Sequence, residues 1–465
     1  MRIHLHHLLL IAGIALATPG RAQWLETTLP MPPQTSARDL VYNPLANKVY
    51  TANVPDQGMP PMRSVTIIDG ATNAIITTLE VAEGPRDLCV NTTGNKVYVA
   101  NYFADSVTVI DGATDQVLAV LPAGDGPRAL CYNSVDDRVY CANEFSGDVT
   151  VIDGATNTVI TTVDVGTTPR VICYNPLSNK VYCPNAGSQN LSVIDGATNT
   201  VVATVPTGNV PRGIAFNPQS DLVYCSNYGS DNVTVIDGAT NAVVATVAVG
   251  DGPTALFHNP ATNTMYCSNV GAPGPGTPAA CTISVIDATT NTVVATLPAG
   301  DEPTAFCYST NNQKVYWVNE WSHKVAVVDA FTNAPITLIP LGTPPVQAVD
   351  LCYNPVNERV YSANRLTYSI GIIADSLLST GAAEADAARL LVQLYPNPAS
   401  DRVMITGLVN GPLAYTVFGA HGAVLDQGTT TDRSIPVHQL PAGLHAVALR
   451  DGSGQRCVER VMVER

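Results

Sequence analysis

Five arginines occupy the same position in successive segments of the chain, and together they could hold an anion. They are Arg38, Arg86, Arg128, Arg170 and Arg212; the last four are 42 residues apart, and each of these four follows a proline. A guanidinium group is planar and permanently charged, and its N–H donors fit a carboxylate or phosphate with two parallel hydrogen bonds. These five side chains could bind an anion, provided that the fold brings them together.

The same arginines could instead pair with acids nearby in the chain and have a purely structural role. Glu83, Asp39, Asp87 and Asp125 stand close enough in sequence to pair with three of the five, whereas Arg170 and Arg212 have no adjacent acid. Charge clusters also occur in structural networks, so local pairing is the commoner arrangement. Both interpretations stay open at this stage.

Other chemistry finds little support in the sequence. Between residues 23 and 376 the histidines are His258 and His323, with no haem-attachment motif and no cluster at zinc-ligand spacing. No catalytic residue, metal ligand or cofactor site is identified. Calcium bound by Asp-rich loops is left open, but no EF-hand-like spacing supports it.

The cysteines follow the same periodicity as the arginines. Only two predicted hairpins carry a cysteine on both strands, Cys131 with Cys141 and Cys173 with Cys183. Elsewhere the partner position holds Val, Ala, Phe, Trp or Ser, which is typical of a packing site. The pattern favours buried free thiols, with those two hairpins as the only credible disulfides.

The elements that must position the arginines are set by an eightfold repeat. A Val-Tyr-x-x-Asn motif, with Met replacing Val once, recurs around Tyr50, Tyr98, Tyr140, Tyr182, Tyr224, Tyr266, Tyr316 and Tyr361. From Tyr98 to Tyr266 the tyrosines are 42 residues apart, a period that matches one four-stranded blade of a β-propeller. The sequence therefore predicts an all-β fold of eight blades, with seven as the alternative.

One unit shows how strands A to D of a blade are assigned. Strand A is predicted over 128–133, B over 138–143, C over 148–153 and D over 158–165, joined by short turn-forming links. The last unit has no D strand after 368–374, whereas an unmatched segment, 24–29, precedes the first A strand. The N-terminal segment is therefore predicted to complete the eighth blade and close the ring. Because A is the innermost strand, the arginines at its start should gather at one mouth of the central channel.

The repeat resembles the YVTN β-propeller repeat of bacterial and archaeal surface proteins. The resemblance lies in Tyr98-Val99-Ala100-Asn101, the strand Val107–Asp111 and Gly126-Pro127-Arg128, and it extends over residues 23–376 in eight copies. It implies an extracytoplasmic propeller. It implies no single activity, because similar propellers include surface-layer proteins, lactonase-like enzymes and subunits of redox enzymes.

A different pattern begins after an Ala-, Ser- and acid-rich linker predicted over 377–392. Residues 393–465 show short strands at regular spacing, which predicts a small β-sandwich. This segment resembles the type A C-terminal sorting domain of the type IX secretion system. The resemblance lies in Tyr395-Pro396-Asn397-Pro398, Gly422, the turn Pro441–Gly443 and the basic end Arg460 and Arg465, with Leu444 where that family usually has Tyr. It implies the type IX secretion machinery as a partner.

Export also follows from the N-terminus and fits the overall charge. Residues 1–22 combine Arg2, a short apolar run and a small-residue cleavage site, which is typical of a signal peptide. The formal net charge of −15 disfavours nucleic acid or an anionic membrane as a partner, and no segment is long and apolar enough to span a bilayer. The expected location is outside the cell or on its surface, reached through the periplasm.

Three functions remain in view. The first is a secreted or cell-surface propeller that binds an anionic, glycan or protein ligand at Arg38, Arg86, Arg128, Arg170 and Arg212. The second is a lactonase-like or other hydrolase with its site in the channel. The third is a structural coat or adhesion component.

Overall fold

The computed structural model describes residues 23–32, 35–55, 63–271, 281–343, 346–375, 392–395, 399–407, 412–418, 424–441, 443–450 and 456–463. These residues form strands and turns and contain no helix, so they include no helix able to cross a membrane. The predicted signal peptide, 1–22, lies outside the described residues, as does the predicted linker up to residue 391.

Eight four-stranded antiparallel sheets make up the propeller. The chain starts with β1 (Gln23–Pro30). Blade 1 then contains β2 (Thr35–Asn43), β3 (Lys48–Pro55), β4 (Ser64–Asp69) and β5 (Ile75–Glu80). Blade 2 contains β6 (Pro85–Asn91), β7 (Lys96–Asn101), β8 (Ser106–Asp111) and β9 (Val117–Pro122). Blade 3 contains β10 (Pro127–Asn133), β11 (Arg138–Asn143), β12 (Asp148–Asp153) and β13 (Thr158–Asp164). Blade 4 contains β14 (Cys173–Asn175), β15 (Lys180–Asn185), β16 (Asn190–Asp195) and β17 (Thr200–Pro206).

The second half of the ring repeats this plan. Blade 5 contains β18 (Pro211–Asn217), β19 (Leu222–Asn227), β20 (Asn232–Asp237) and β21 (Val243–Ala248). Blade 6 contains β22 (Pro253–Asn259), β23 (Thr264–Asn269), β24 (Thr282–Asp287) and β25 (Thr292–Pro298). Blade 7 contains β26 (Pro303–Ser309), β27 (Lys314–Asn319), β28 (Lys324–Asp329) and β29 (Pro335–Pro340). Blade 8 contains β30 (Ala348–Asn354), β31 (Arg359–Asn364) and β32 (Ser369–Asp375).

Strand β1 completes blade 8, as the strand count predicts. It pairs antiparallel with β32, with Gln23 opposite Asp375 and Pro30 opposite Ser369. The first and last blades also meet, because β2 contacts β30 of blade 8 on one side and β6 of blade 2 on the other. The eight-bladed prediction is confirmed, and the seven-bladed alternative is wrong.

The repeated tyrosines fill the space between blades. Tyr50, Tyr98 and the six equivalent tyrosines are all completely buried. Tyr50 packs among apolar residues of blade 2, including Leu88 and Val97, and its hydroxyl donates to the carbonyl of Gly112 in that blade. Each tyrosine therefore serves the contact between two blades, as expected of a large aromatic side chain with a polar end.

A second repeated contact joins the inner strands around the channel. In six blades the asparagine that ends the first strand donates its side-chain N–H to the last residue of the A–B turn of the next blade. Asn354 of blade 8 donates in this way to Asn47 of blade 1 at 3.0 Å, which carries the pattern across the junction between the chain ends. The acceptor Asn47 has a φ of 49°, a backbone conformation that asparagine tolerates better than most residues.

The repeated asparagine on the second strand bonds to the third strand of its own blade. In blades 1 to 6 its side chain donates to side-chain oxygens of the third strand of the same blade, as in Asn101 to Thr108 at 2.9 Å. It therefore ties strand to strand rather than capping a turn. Because a buried amide must find partners, the Thr or Ser that it reaches on the third strand belongs to the same repeat in these six blades.

The ten cysteines of the propeller are free thiols. The two hairpin disulfides named as the credible ones do not form. In blade 3, Cys131 pairs across the hairpin with Tyr140, whereas Cys141 pairs with Leu130. This offset of one residue turns the two thiols to opposite faces of the blade, where they join different apolar clusters.

The C-terminal residues form a small β-sandwich, as predicted. One sheet contains β33 (Val392–Tyr395), β34 (Arg402–Gly407) and β37 (Ser434–Pro436). The other contains β35 (Leu413–Phe418), β36 (Val424–Thr430), β38 (Gly443–Arg450) and β39 (Arg456–Val463). Val403 and Ile435 of the first sheet share one apolar core with Val417 and Val447 of the second. Residues 396–398, Gly422 and Arg465 of the predicted motifs lie outside the described part of the chain.

We predict that closure at blade 8 depends strongly on Asp375. Its carboxylate is fully buried, accepts from the Lys314 Nζ at 2.8 Å and from the Tyr316 hydroxyl at 2.7 Å, and so ties blade 7 to blade 8. Asp375→Asn removes the buried counter-charge of Lys314 and should destabilise the fold by about 3–5 kcal/mol. Calorimetric melting of the mature chain measures the effect.

The matched control is Asp115→Asn. Asp115 accepts from Lys48 at 2.8 Å in the equivalent contact between blades 1 and 2, but both side chains are partly exposed. We expect a loss of about 1 kcal/mol or less there. Equal melting temperatures for the two variants would contradict a special role for the blade 8 contact.

Candidate functional site

Four of the five predicted arginines line one cavity at the mouth of the channel. Arg38 and Arg86 lie at the inner strands of blades 1 and 2, Arg128 at that of blade 3, and Arg170 just before β14 in blade 4. The cavity has a volume of about 430 Å³, within the usual range for small-molecule sites. We call it the arginine mouth; its charged residues are Arg38, Arg86, Arg128, Arg170, Arg365, Asp39, Asp87, Asp350 and Glu320.

Arg212 is outside this set. Its side chain is exposed, and its guanidinium carbon lies 4.9 Å from the centre of the Tyr228 ring. The fivefold arginine ring of the sequence analysis is therefore an arc of four. Thr304, one of the two threonines that replace the arginine in later blades, also lines the cavity.

Sequence reasoning missed three charged residues of the arginine mouth, which are Asp350, Arg365 and Glu320. Asp350 lies on β30, the inner strand of blade 8. Arg365 follows β31 and Glu320 follows β27, so both begin the turn between the second and third strands of their blades. This turn position varies around the ring, with Tyr102, Glu144 and Tyr228 elsewhere. A column-by-column comparison of the repeats would have identified it as a position where charge departs from the pattern.

Two of the arginines are paired, though not with the acids that stand beside them in sequence. The Glu144 carboxylate accepts from Arg128 through one oxygen and from the Arg170 Nε at 2.7 Å through the other. Burial alone would raise the pKa of Glu144, but these hydrogen bonds and charges outweigh it and hold the pKa below its usual range. Of the acids proposed as local partners, Glu83 pairs with Arg63 instead.

Arg38, Arg86 and Arg365 make no ion pair or side-chain hydrogen bond with any described residue. Burial and the neighbouring charges of Arg365 and Arg128 lower the pKa of Arg38. Burial, with the charges of Arg38 and Arg128, lowers the pKa of Arg86 to about 9, so it remains a cation at neutral pH. The Arg86 guanidinium carbon lies 4.4 Å from the centre of the Tyr102 ring, a favourable cation–π distance. These donors are therefore charged and available to a ligand.

Three aspartates of the arginine mouth link consecutive blades. Asp350 accepts from the Leu40 backbone N–H at 2.7 Å, Asp39 from that of Leu88 at 2.8 Å, and Asp87 from that of Leu130 at 2.6 Å. These contacts run from blade 8 through blades 1 and 2 to blade 3. They occupy one acceptor of each carboxyl group and hold all three close to the arginines.

Burial makes the charged form of these aspartates costly. It raises the pKa of Asp39 to about 6, against the opposing effects of the Leu88 N–H and Arg38. Burial, followed by the charge of Asp39, raises the pKa of both Asp87 and Asp350 well above the usual value. The cluster therefore holds protons more readily than free carboxyl groups, which leaves the positive charge of the arginines less than fully balanced.

An apolar cavity of about 540 Å³ lies where the inner strands of blades 6 to 8 end, away from the strand starts that form the arginine mouth. It is lined mainly by aromatic side chains of blades 6 to 8, including Phe257, Phe306 and Tyr353. His258 lines it too, and burial lowers the pKa of His258, which favours the neutral imidazole. The other propeller histidine, His323, accepts backbone N–H bonds from Val346 and Gln347 through its Nδ1 atom, a structural role.

No metal centre emerges from the described side chains, among which no group of three or more His, Cys, Asp or Glu residues could hold a metal ion. The sequence leaves bound calcium open without supporting it, and these side chains add no site for it.

Comparison with family models gives two matches. Residues 393–464 match the secretion system C-terminal sorting domain. The tail carries a sorting domain. Such a domain indicates export to the cell surface or the medium and implies interaction with the type IX secretion machinery, as the sequence analysis predicts. Residues 111–241 match the model described as lactonase, 7-bladed beta-propeller, which spans part of blades 2 to 5.

Among solved structures, a chain of Kuenenia stuttgartiensis hydrazine synthase is similar. The sequence identity is 20%, the TM-score is 0.51, and the match covers 62% of this chain and 95% of that one. At this identity the likeness shows the propeller fold alone. Comparison with curated proteins gives no match.

We predict that Asp39→Asn stabilises the protein at neutral pH but not in acid. A carboxyl group with a raised pKa in the folded state stabilises the fold fully below its unfolded pKa, and this contribution disappears as pH rises through the folded value. For Asp39 that window runs from about 4 to about 6. Asparagine keeps an acceptor for the Leu88 N–H and avoids the cost of ionisation, so we expect a gain of the order of 2 kcal/mol at pH 7. Melting temperatures at several pH values between 4 and 7 measure it.

Asp69→Asn is the control, because the pKa of Asp69 is shifted in the direction opposite to that of Asp39. Hydrogen bonds from the Thr72 and Ala71 backbone N–H groups lower the pKa of this exposed carboxyl group, so its removal should give no gain at pH 7. If Asp39→Asn lowered the melting temperature across the whole pH range, Asp39 would be needed in its charged form as a partner of the arginines.

Proposed function

We propose that this chain is an exported propeller that binds an anionic ligand at the arginine mouth, as a ligand-binding module on or outside the cell surface. The observation that carries the proposal is the state of Arg38 and Arg86. Both are charged, both line the cavity, and neither has an ion-pair partner among the described residues. The guanidinium groups repel each other in this concave site, and a bound anion reduces that repulsion.

The sorting domain supports the location part of the proposal. It matches over almost all of the C-terminal sandwich, whereas the charged cavity belongs to the propeller. We infer that the tail directs transfer across the outer membrane and that the propeller performs its function afterwards. The route through the periplasm follows from the predicted signal peptide at 1–22.

Sulfate is the probe that tests anion binding, because its charge is constant between pH 5 and 8. We expect Arg38→Ala combined with Arg86→Ala to weaken sulfate binding to the mature chain about tenfold or more, since each charge-assisted hydrogen bond contributes about 1.5–3 kcal/mol. Binding should also be tighter at pH 5 than at pH 7.5, because Asp39, whose pKa is about 6, takes up a proton in between. Equilibrium dialysis with labelled sulfate measures both effects.

Arg212→Ala is the matched control, because Arg212 has the same repeat position but lies outside the cavity. We expect less than a twofold change for it. Equal losses for this variant and the Arg38/Arg86 variant would show that sulfate binds to the general surface and would overturn the proposal.

A lactone hydrolase is the second candidate, favoured by the family match over 111–241. That region includes Arg128 and Arg170 but not the carboxyl cluster of Asp39, Asp87 and Asp350, which is why binding is proposed first. A carboxyl group with a pKa of about 6 is suited to general acid–base catalysis near neutral pH.

Hydrolysis of glucono-δ-lactone followed by pH-stat titration tests the second candidate. If the chain is a hydrolase, acid release should exceed the spontaneous rate and fall by at least about a hundredfold in Asp39→Asn. Rates equal to the spontaneous reaction would leave the binding module as the function.

A further inference from the structure

Two phenylalanines stand exposed on the rim of the arginine mouth. Phe103 and Phe145 follow the second strands of blades 2 and 3, and 63% of each residue is exposed. The Tyr102 ring lies between them, with ring centres 5.1 Å from Phe103 and 5.5 Å from Phe145. Because Arg86 stacks on the same tyrosine, an aromatic surface leads from the rim to the cationic cavity.

Local backbone geometry fixes the two phenyl rings. Each ring lies over a glycine that precedes the inner strand of its blade: Phe103 over Gly84, and Phe145 over Gly126. A Cβ atom at Gly84 would lie 2.5 Å from the nearest Phe103 ring carbon, and one at Gly126 would lie 2.7 Å from that of Phe145. Both glycines have positive φ, 75° and 70°, so side chains are excluded there on two grounds. The rings are held against the loop with one face available.

The cavity itself offers acceptors as well as donors. A simple anion such as sulfate uses N–H donors alone, here those of Arg38 and Arg86. The backbone N–H bonds to Asp39, Asp87 and Asp350 use one oxygen of each carboxyl group, and Asp39 and Asp350 also hydrogen-bond to each other. The remaining acceptor capacity of this cluster would be unused by such an ion. A ligand that satisfies both sets must carry a negative charge and several hydrogen-bond donors, for which hydroxyl groups are suited.

We propose that the ligand of the arginine mouth is an acidic sugar chain, with a uronate carboxylate on the arginines, its hydroxyls on the aspartates, and a neighbouring ring on Phe103 or Phe145. The C–H face of a pyranose ring is flat and apolar and packs on an aromatic ring as other apolar surfaces do. This inference rests on the proposed anion binding and names the class of anion. An acidic peptide is the competing ligand, since its backbone N–H groups can also donate to the aspartates, but its backbone has no flat sugar ring to pack on Phe103 or Phe145.

Calorimetric titration of the mature chain with trigalacturonate tests the proposal. We expect trigalacturonate to bind at least about tenfold more tightly than monomeric galacturonate, since only the trimer reaches from the cavity to the rim. Phe103→Ala combined with Phe145→Ala should remove that advantage and leave sulfate binding unchanged. Tyr228 is an aromatic residue on the equivalent turn of blade 5, beside Arg212. Tyr228→Ala should change the affinity for neither trigalacturonate nor sulfate.

Three results would overturn the inference. If the double phenylalanine variant binds trigalacturonate like the unmodified chain, the rim takes no part in sugar binding. If triglutamate binds as tightly as trigalacturonate, the ligand is an acidic peptide. If sulfate binds but trigalacturonate does not, the proposed sugar class is wrong and the proposed anion binding stands. If neither sulfate nor trigalacturonate binds, the proposed function itself is wrong.

Discussion

The structure depends on each blade being buried on both faces by a neighbour, so the ring must close. A single four-stranded blade exposes two apolar faces, and only the next blade can cover them. The contact is specified by the repeat: a buried tyrosine between the blades, and an asparagine at the end of the inner strand bonded to the next turn. At the closing blade the first eight described residues supply the outer strand, and Asp375 supplies the buried ionic contact. The chain ends are thereby tied to each other without a disulfide.

These contacts leave the two faces of the propeller with different freedom to vary. The inter-blade bonds of the tyrosines and asparagines reach the turns between first and second strands and between third and fourth strands. The opposite face has looser requirements, and there the turn after the second strand carries Tyr102 and Phe103 in blade 2 but Arg365 in blade 8. The arginine mouth lies on this face. A symmetric scaffold can thus carry an asymmetric site, because the repeated tyrosines and asparagines that hold the ring together do not line the site. Of the residues that line it, Asp39, Asp87 and Asp350 also link neighbouring blades.

The fold could be predicted closely from the sequence because the motif of one blade occurs eight times. The Val-Tyr-x-x-Asn motif fixed the blade number, and the missing last strand pointed to residues 24–29, observed as part of Gln23–Pro30. The site could be predicted only in part. Arg38, Arg86, Arg128 and Arg170 share a repeat position and meet as expected, whereas Arg212 is drawn to Tyr228. Arg365 and Glu320 escaped notice because they occur once each, and periodicity does not reveal a single residue. The disulfide suggestion failed at the level of register, since one residue of offset decides which face a side chain occupies.

The arginine mouth also shows why adjacent charges in a sequence are poor guides to ion pairs. Asp39 and Asp87 directly follow Arg38 and Arg86, but their carboxyl groups accept hydrogen bonds from the backbone of the next blade instead of pairing with those arginines. The strand register shifts at both places, so the usual alternation of side chains does not apply there. Glu144, distant in sequence from Arg170, bridges it to Arg128 instead. The acids therefore serve the scaffold through their backbone bonds, and burial keeps them inclined to hold protons. Arg38 and Arg86 are left as cations without partners among the described residues, in a chain whose overall charge is −15. Such local excess of positive charge is costly to maintain in the free protein, and a bound anion is the simplest agent that offsets it.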